Sequence, residues 1–349
     1  MATNQLNRKR IVIFLAVIAS IATVYYCGWM YIAFKIESGF SNLKKKYITT
    51  DLQINHKDIE ISGFPWGWCL EIERPRLKFK NRFLWTTSLL KINLNSWDYK
   101  SFEFQTFGSH QAHIYRKNSL KHINAKMKTG TGRLNLDRFG KVQEIKFSVK
   151  ENLIHIPPAN QIKFKKLSGS LHLNKKYETK TVTHKGPSVR MEMDLASLVI
   201  PKNLLPKMEN QFAKIKFSTD LHGIFEGSNL KNILTNWTKQ GGVIEINKMI
   251  VNWGKLKVLG NGTFALDENL QPIAVLSAKI TGQNATINSM VVAGLIKAST
   301  GMLLSFITNA MANKKRAKNR EIKISLAVQD GFLYLGPIKF LKIPKIRWK

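Results

Sequence analysis

A run of 24 residues with no charged side chain, Ile11 to Phe34, constrains this chain more than any other feature. It is entered through Arg8-Lys9-Arg10 and left through Lys35. At about 1.5 Å per residue, a helix of that length crosses a hydrocarbon layer of roughly 30 Å with some tilt. A buried helix of a soluble protein rarely goes so many turns without a polar position. A cleavable signal peptide is the competing reading, with Ile11 to Ala19 as its apolar segment and Ser20-Ile21-Ala22 as small residues at a cleavage spacing. The run continues well past that point, however. Tyr25, Tyr26, Trp29 and Tyr31 gather in its second half, as an aromatic belt at a membrane interface does. An uncleaved single span is therefore expected. The cationic N-terminal flank keeps that end in the cytoplasm and places the body outside a bacterial inner membrane, in the periplasm.

The segments expected are a tail and anchor over 1–34, a juxtamembrane segment over 35–46, and two β-rich halves over 47–200 and 201–349. In the juxtamembrane segment Ile36, Phe40 and Leu43 share a helical face opposite lysines, so it either lies on the membrane surface or continues the span. After it the periodicity changes from helical to alternating. Trp68, Leu70, Ile72 and Leu90, Ile92, Leu94 show it, as do Ile145, Phe147, Val149 and Ile322, Ile324, Leu326. One side of each such run is apolar and the other carries Lys, Glu, Ser or Asn, which is the pattern of an antiparallel sheet covered on one face. Turns are expected at Gly63-Phe64-Pro65, Arg74-Pro75, Gly108, Gly130-Thr131-Gly132, Pro157-Pro158, Ser168-Gly169-Ser170, Gly186-Pro187, Asp267-Glu268-Asn269 and Asp330-Gly331. A brief helical piece is expected over 202–212. A helix over 228–239 carries Leu230, Ile233, Leu234 and Trp237 on one stripe and is capped by Gly241-Gly242. The apolar stretch 287–312 reads as two short helices bent near Lys297 to Gly301, followed by a basic connector from Asn313 to Arg320. The fold class is thus mainly β (α+β): an N-terminal transmembrane helix, then a large curved antiparallel sheet with a few covering helices.

Charge bears on partners. Lys and Arg total 55 against 22 Asp and Glu, a net charge of +33. Nucleic acid is the first partner such a charge suggests. Lys, however, outnumbers Arg, whose fork suits base and phosphate recognition, and the lysines are dispersed. No nucleic acid is expected; an anionic phospholipid surface is, at about 1 kcal/mol per nearby Lys or Arg. The two cysteines, Cys27 in the run and Cys69 in a strand, allow no disulfide framework.

Gly63-Phe64-Pro65, Trp237 before Gly241-Gly242, the segment Gly262 to Asp267, and Gln329-Asp330-Gly331 running on to Gly336-Pro337 form an ordered set of turn and strand markers. In that order, behind a basic tail and a single span, they resemble an uncharacterised alphaproteobacterial envelope family, domain-of-unknown-function family 2125. The resemblance covers nearly the whole chain, though this sequence is richer in Lys and Asn. It implies an inner-membrane anchor with a β-rich periplasmic body and brings no catalytic residues. A looser, fold-level likeness is to AsmA-type envelope proteins.

No arrangement of residues carries chemistry. His110 and His113, three apart on a strand, face opposite sides and lack the glutamate of a His-Glu-x-x-His helix. Gly130-Thr131-Gly132 lacks the third glycine and the helix of a phosphate loop, and Ser168-Gly169-Ser170 is no nucleophile elbow. No catalytic residue, cofactor or metal site is expected, and the protein is not expected to be an enzyme. The expected roles are binding of a lipid or another hydrophobic ligand on the sheet, or scaffolding with other envelope proteins.

Overall fold

The structure is a computed structural model and describes residues 2–47, 52–79, 83–116, 119–156, 160–174, 187–203, 208–311, 321–336 and 338–348. Pro157-Pro158, Gly186, Pro337 and the basic connector Asn313 to Arg320 lie outside the described residues. The chain divides into two compact units, residues 1–123 and 124–349. It is mainly β, with four helices and a large antiparallel sheet among the described residues.

The first unit begins with helix α1 (Ala2–Tyr47). The charge-free run forms its middle, and the helix continues without a break through 35–46. Among the described residues one helix is long and apolar enough to cross a membrane, the Val12–Gly39 part of α1. This fits a single-pass anchor or a signal sequence. Strands β1 (Leu52–Asn55), β2 (Asp58–Ser62), β3 (Gly67–Glu73), β4 (Arg76–Phe79), β5 (Phe83–Asn95) and β6 (Asp98–Arg116) follow. β3 and β4 lie end to end along one edge of β5, pairing Glu73 with Leu89 and Arg76 with Thr86, while β6 takes the other edge. Arg74 at φ 46° and Pro75 make the break between them, as the sequence indicates.

The helix is held to this sheet by polar and aromatic contacts of its second half. The Trp29 indole donates to the Gly67 carbonyl at 2.8 Å, and the Trp68 indole donates to the Trp29 carbonyl at 3.2 Å. The Tyr25 hydroxyl donates to the Pro65 carbonyl. Tyr25, Tyr26 and Trp29 all place rings within 6 Å of the Phe64 ring, and Trp29 stacks on Trp68. Among the described side chains of the apolar run, Trp29 and Ala33 alone are buried.

The second unit is an antiparallel meander in which each strand from β8 on pairs with its predecessor. It comprises β7 (Ser119–Leu136), β8 (Val142–Ile156), β9 (Asn160–Leu173), β10 (Val189–Val199), β11 (Gln211–His222), β12 (Val243–Trp253), β13 (Leu256–Leu266), β14 (Pro272–Thr281), β15 (Ile322–Gln329), β16 (Phe332–Leu335) and β17 (Ile338–Lys342). The first few residues of β7 belong to the other unit. β10 and β11, on either side of Pro201, pair along almost their whole length.

Helices α2 (Leu230–Lys239), α3 (Gln283–Val292) and α4 (Ala298–Met311) cover one face of β12–β15. Asn229 caps α2 by accepting the Asn232 amide on its side chain, satisfying one of the donors a helix start leaves open. Trp237 packs on Leu266 and Leu270, and its indole donates to the His222 carbonyl at 2.7 Å. Gly241 takes φ 71° and closes the helix, and the Gly242 amide bonds back to the Trp237 carbonyl. A Cβ on Gly242 would meet the Trp237 ring at 2.3 Å, so the strand entering β12 passes against bare indole. At the other end Leu304 and Ile307 of α4 pack on Ala278, Ile322, Ile324 and Leu335.

Three expected turns are strand interior instead. Gly130-Thr131-Gly132 pairs with Val149, Ser148 and Phe147 of β8. Gly169 is paired on both sides, to Phe147 and Met193, and a Cβ there would strike the Phe147 ring at 2.7 Å. Gly108 sits at a register shift between β5 and β6, a bulge. Glycine inside a strand marks close approach or a bulge as often as a turn, and here the partner strand decides. The bend between α3 and α4 falls at Ala293 to Lys297, earlier than expected, and Gly301 lies inside α4. Of the helical piece expected over 202–212, Lys202-Asn203 form a turn, residues 204–207 lie outside the described residues, and Gln211 already belongs to β11.

Replacing Trp237 by Ala is expected to cost about 3–5 kcal/mol, and Gly242→Ala about 1–3 kcal/mol through overpacking. Denaturant unfolding of the detergent-solubilised chain, followed by far-ultraviolet circular dichroism, measures both.

Candidate functional site

Burial alternates along β13, β14 and β15, and the even-numbered side chains take the covered side. Leu266, Ala274, Ala278, Ile322 and Ile324 are buried, while Leu259, Val275 and Lys279 are exposed. Since successive strand side chains point to opposite faces, the odd-numbered set lies on the face that α2, α3 and α4 leave open. There the register builds three rungs. Leu259 lies opposite Lys279, which lies opposite Lys323; Asn261 opposite Ser277 opposite Ser325; Thr263 opposite Val275 opposite Ala327. A bulge in β12, between Ile246 and Met249, pushes Asn247 and Lys248 to the margin.

A groove of about 770 Å³ runs across the first two of these rungs and is lined by Gly336 as well. A smaller depression of about 420 Å³ continues it past Thr263, Val275 and Glu245. The larger volume is that of a site for a small organic ligand. Of the side chains on this face Leu259 is apolar, Asn261, Ser277 and Ser325 form the middle of the groove, and Lys248, Lys279 and Lys323 complete the lining. Among the described residues no carboxylate pairs with any of these three lysines. Like charges directly opposite one another across strands are unfavourable, so Lys279 and Lys323 form an uncompensated pair suited to an anion.

Behind the bulge lies a partly buried ion pair. Arg190 donates to Asp220 through Nε at 2.7 Å and Nη2 at 2.9 Å. The Arg190 guanidinium holds the Asp220 carboxyl below its ordinary range, against a smaller opposing effect of burial, and Asn247 adds a hydrogen bond. The groove margin is thus tied to β10 and β11 through Asn247.

Gly63, Phe64 and Pro65 form the β2–β3 turn, with a cis Phe64-Pro65 bond. Trp237, Gly241 and Gly242 form the end of α2. Asp330 and Gly331, at φ 52° and 73°, make the two-residue β15–β16 turn. Of the described turn and cap markers in the second unit, Gly336 alone lines the larger groove. His110 and His113 point to opposite faces of β6. His110 is buried beside Thr87 and stacked on Trp85, and burial pushes its imidazole down. Among the described residues no three His, Cys, Asp or Glu side chains come together as metal ligands. Burial and the neighbouring Glu71 push the Cys69 thiol up. The groove lysines were missed by sequence reading; the signal was a Lys on the polar side of consecutive strands, which alternation alone does not place side by side.

Fold and site together define a mainly β protein that carries one apolar N-terminal helix and an open, lysine-rimmed sheet face. Residues 29–344 match the bacterial family described as "Uncharacterized protein conserved in bacteria (DUF2125)", and the chain belongs to that family. No curated protein matches the chain.

Asp220→Asn is expected to lower stability at neutral pH by about 1–3 kcal/mol, as for lost charge-assisted hydrogen bonds. The Asp220 carboxyl is depressed in the folded state, so its contribution is present above the unfolded value of about 3.9 and is lost as pH falls through the folded value. Unfolding curves of the two proteins should therefore converge in acid.

Proposed function

We propose that the protein is a single-span protein of the bacterial inner membrane, with α1 as an uncleaved anchor and the sheet in the periplasm, and that the open face of β12–β15 binds an anionic amphiphile of the phospholipid type. The observation that carries this reading is the unneutralised pair Lys279 and Lys323, next to the exposed apolar side chain Leu259 in one groove. The lysines suit a phosphate or carboxylate head, Asn261, Ser277 and Ser325 suit its polar linkage, and Leu259 suits the start of an acyl chain. The Arg8-Lys9-Arg10 flank of α1 supports the orientation by the positive-inside rule.

A second reading, scaffolding with another envelope protein, draws on a different surface. Val292 and Leu295 near the end of α3, and Met302, Leu303 and Phe306 on α4, are all more than half exposed. The two helices pack against each other at Val291 and Gly301, and exposed apolar side chains that form one patch mark interaction sites.

Lipid extracted from the detergent-purified chain and analysed by mass spectrometry should contain anionic phospholipid above the level of a control membrane protein. At about 1 kcal/mol per lysine, Lys279→Gln with Lys323→Gln should weaken binding of a fluorescent anionic phospholipid roughly 30-fold and leave a zwitterionic one little changed. Equal loss for both lipids, or none, counts against the groove. For topology, a C-terminal reporter should be active only in a form that works in the periplasm; activity of a cytoplasmic reporter reverses the orientation.

A further inference from the structure

The tip of the β2–β3 hairpin is built from Gly63-Phe64-Pro65-Trp66-Gly67, and it lies against α1 at a level inside the apolar run. A hydrocarbon layer of roughly 30 Å takes about 20 residues of helix. Counted from Ile11, that layer ends near Met30, so Tyr25 sits about 8 Å inside it at ~1.5 Å per residue. The Phe64 ring and the Pro65 carbonyl touch Tyr25 directly. If α1 spans, this turn cannot remain in water.

Irregular backbone is tolerated at membrane depth only when its polar groups are satisfied within the protein. The tip meets much of that demand. The Gly63 carbonyl accepts from the Trp66 and Gly67 amides, and Pro65 has no amide proton. The Pro65 carbonyl accepts the Tyr25 hydroxyl, the Gly67 carbonyl accepts the Trp29 indole, and the Trp66 carbonyl accepts the Ser96 amide. Two of these three acceptors are served by side chains of the helix itself. There is no charged residue from Ile61 to Leu70, nor from Ile92 to Trp97 in the neighbouring strand.

The side chains around this tip point outward unpartnered by the core. Trp66 is 76% exposed, Trp97 81% and Tyr99 74%, while Phe64 is half covered by the helix. Trp97 and Tyr99 sit in and beside the β5–β6 turn, which the Ser96 amide joins to Trp66. Asp98 and Lys100 next to them mark the level at which charge resumes. Trp and Tyr are the residues enriched at the boundary between headgroups and acyl chains.

We infer that the Gly63–Gly67 tip and the Ser96–Tyr99 turn insert into the outer interfacial layer of the bilayer that α1 crosses, with Phe64 and Trp66 at acyl-chain level and Trp97 and Tyr99 among the headgroups. The occupant of this aromatic surface is lipid. The inference rests on α1 being a span.

The test uses the full-length chain in vesicles of phosphatidylcholine and phosphatidylglycerol, with Cys27→Ala and Cys69→Ala as background. Single cysteines are introduced by Trp66→Cys, Trp97→Cys, Val17→Cys within the span, and Arg76→Cys in the same unit away from the tip. Each carries a fluorophore, challenged by a nitroxide in the upper acyl chain and by aqueous iodide. Labels at positions 17, 66 and 97 should be quenched several-fold more by the lipid nitroxide than the label at 76, which should respond to iodide. If the label at 17 is lipid-quenched and those at 66 and 97 behave like that at 76, the insertion is wrong and the span stands. Should 66 and 97 be shielded from both quenchers, a protein partner covers the tip, which also overturns the inference. A label at 17 that lipid does not reach removes the span and the insertion together. The unsubstituted chain provides an independent readout: a phospholipid with a headgroup-proximal photoreactive group should crosslink to the peptides containing Trp66 and Trp97. Labelling confined to α1 counts against insertion.

Discussion

Alternation along four strands, β12 to β15, governs the larger unit. Because β13, β14, β15 and the part of β12 before its bulge place their even-numbered side chains on one side, Val258, Ala278, Ile322 and Ile324 meet α4 together, and Phe264, Leu266 and Ile244 meet α2 together. A shift of one residue in any of these registers would exchange that apolar set for the lysines and asparagines of the other side. The two-residue turn at Asp330-Gly331 and the Asp267 turn hold the registers. In the latter, the Asp267 carboxylate accepts the Asn269 and Gln271 amides. The same alternation assembles the groove, whose lysines come together because the opposite side chains must be buried.

In the smaller unit the governing contacts are the hydrogen bonds between α1 and the hairpin. Apolar packing alone would leave the helix free to rotate about its axis. The Trp29 and Trp68 indoles exchange donors with backbone carbonyls in both directions, which fixes rotation and depth together. The ring contacts of Phe64 with three helix residues then fill the space between. The 35–46 portion continues the same helix, so the described structure contains no separate juxtamembrane joint.

Much of this was legible in the sequence, and the reasons are local. Arg74-Pro75, Gly241-Gly242 and Asp330-Gly331 have turn or cap chemistry that few other conformations accommodate. The charge-free run and the Leu230, Ile233, Leu234, Trp237 stripe have periodicities long enough to be unambiguous. What was not legible depends on partners distant in sequence. Gly169 resembles a turn residue until Phe147 is seen to need its space. Lys279 and Lys323 resemble two solvated lysines until register sets them opposite one another. Tyr25 and Trp29 read as a membrane belt, and their spacing of four gave no sign that both donate to one hairpin. The membership of the family was legible from an ordered set of markers, most of which prove to be turns and caps rather than groups that act on anything.

The donor exchange between α1 and the hairpin has a mechanical consequence. A flexible tether would let the sheet adopt any attitude toward the bilayer. A helix bonded to the hairpin at Tyr25 and Trp29 instead behaves as a lever whose short arm is the β2–β3 turn. Transmembrane helices change tilt when hydrocarbon thickness changes, so with α1 as the proposed span a thicker or thinner bilayer would turn the strands of the first unit as one body with the helix. In the proposed single-span arrangement, the attitude of β1 to β6 is in this way a readout of bilayer thickness.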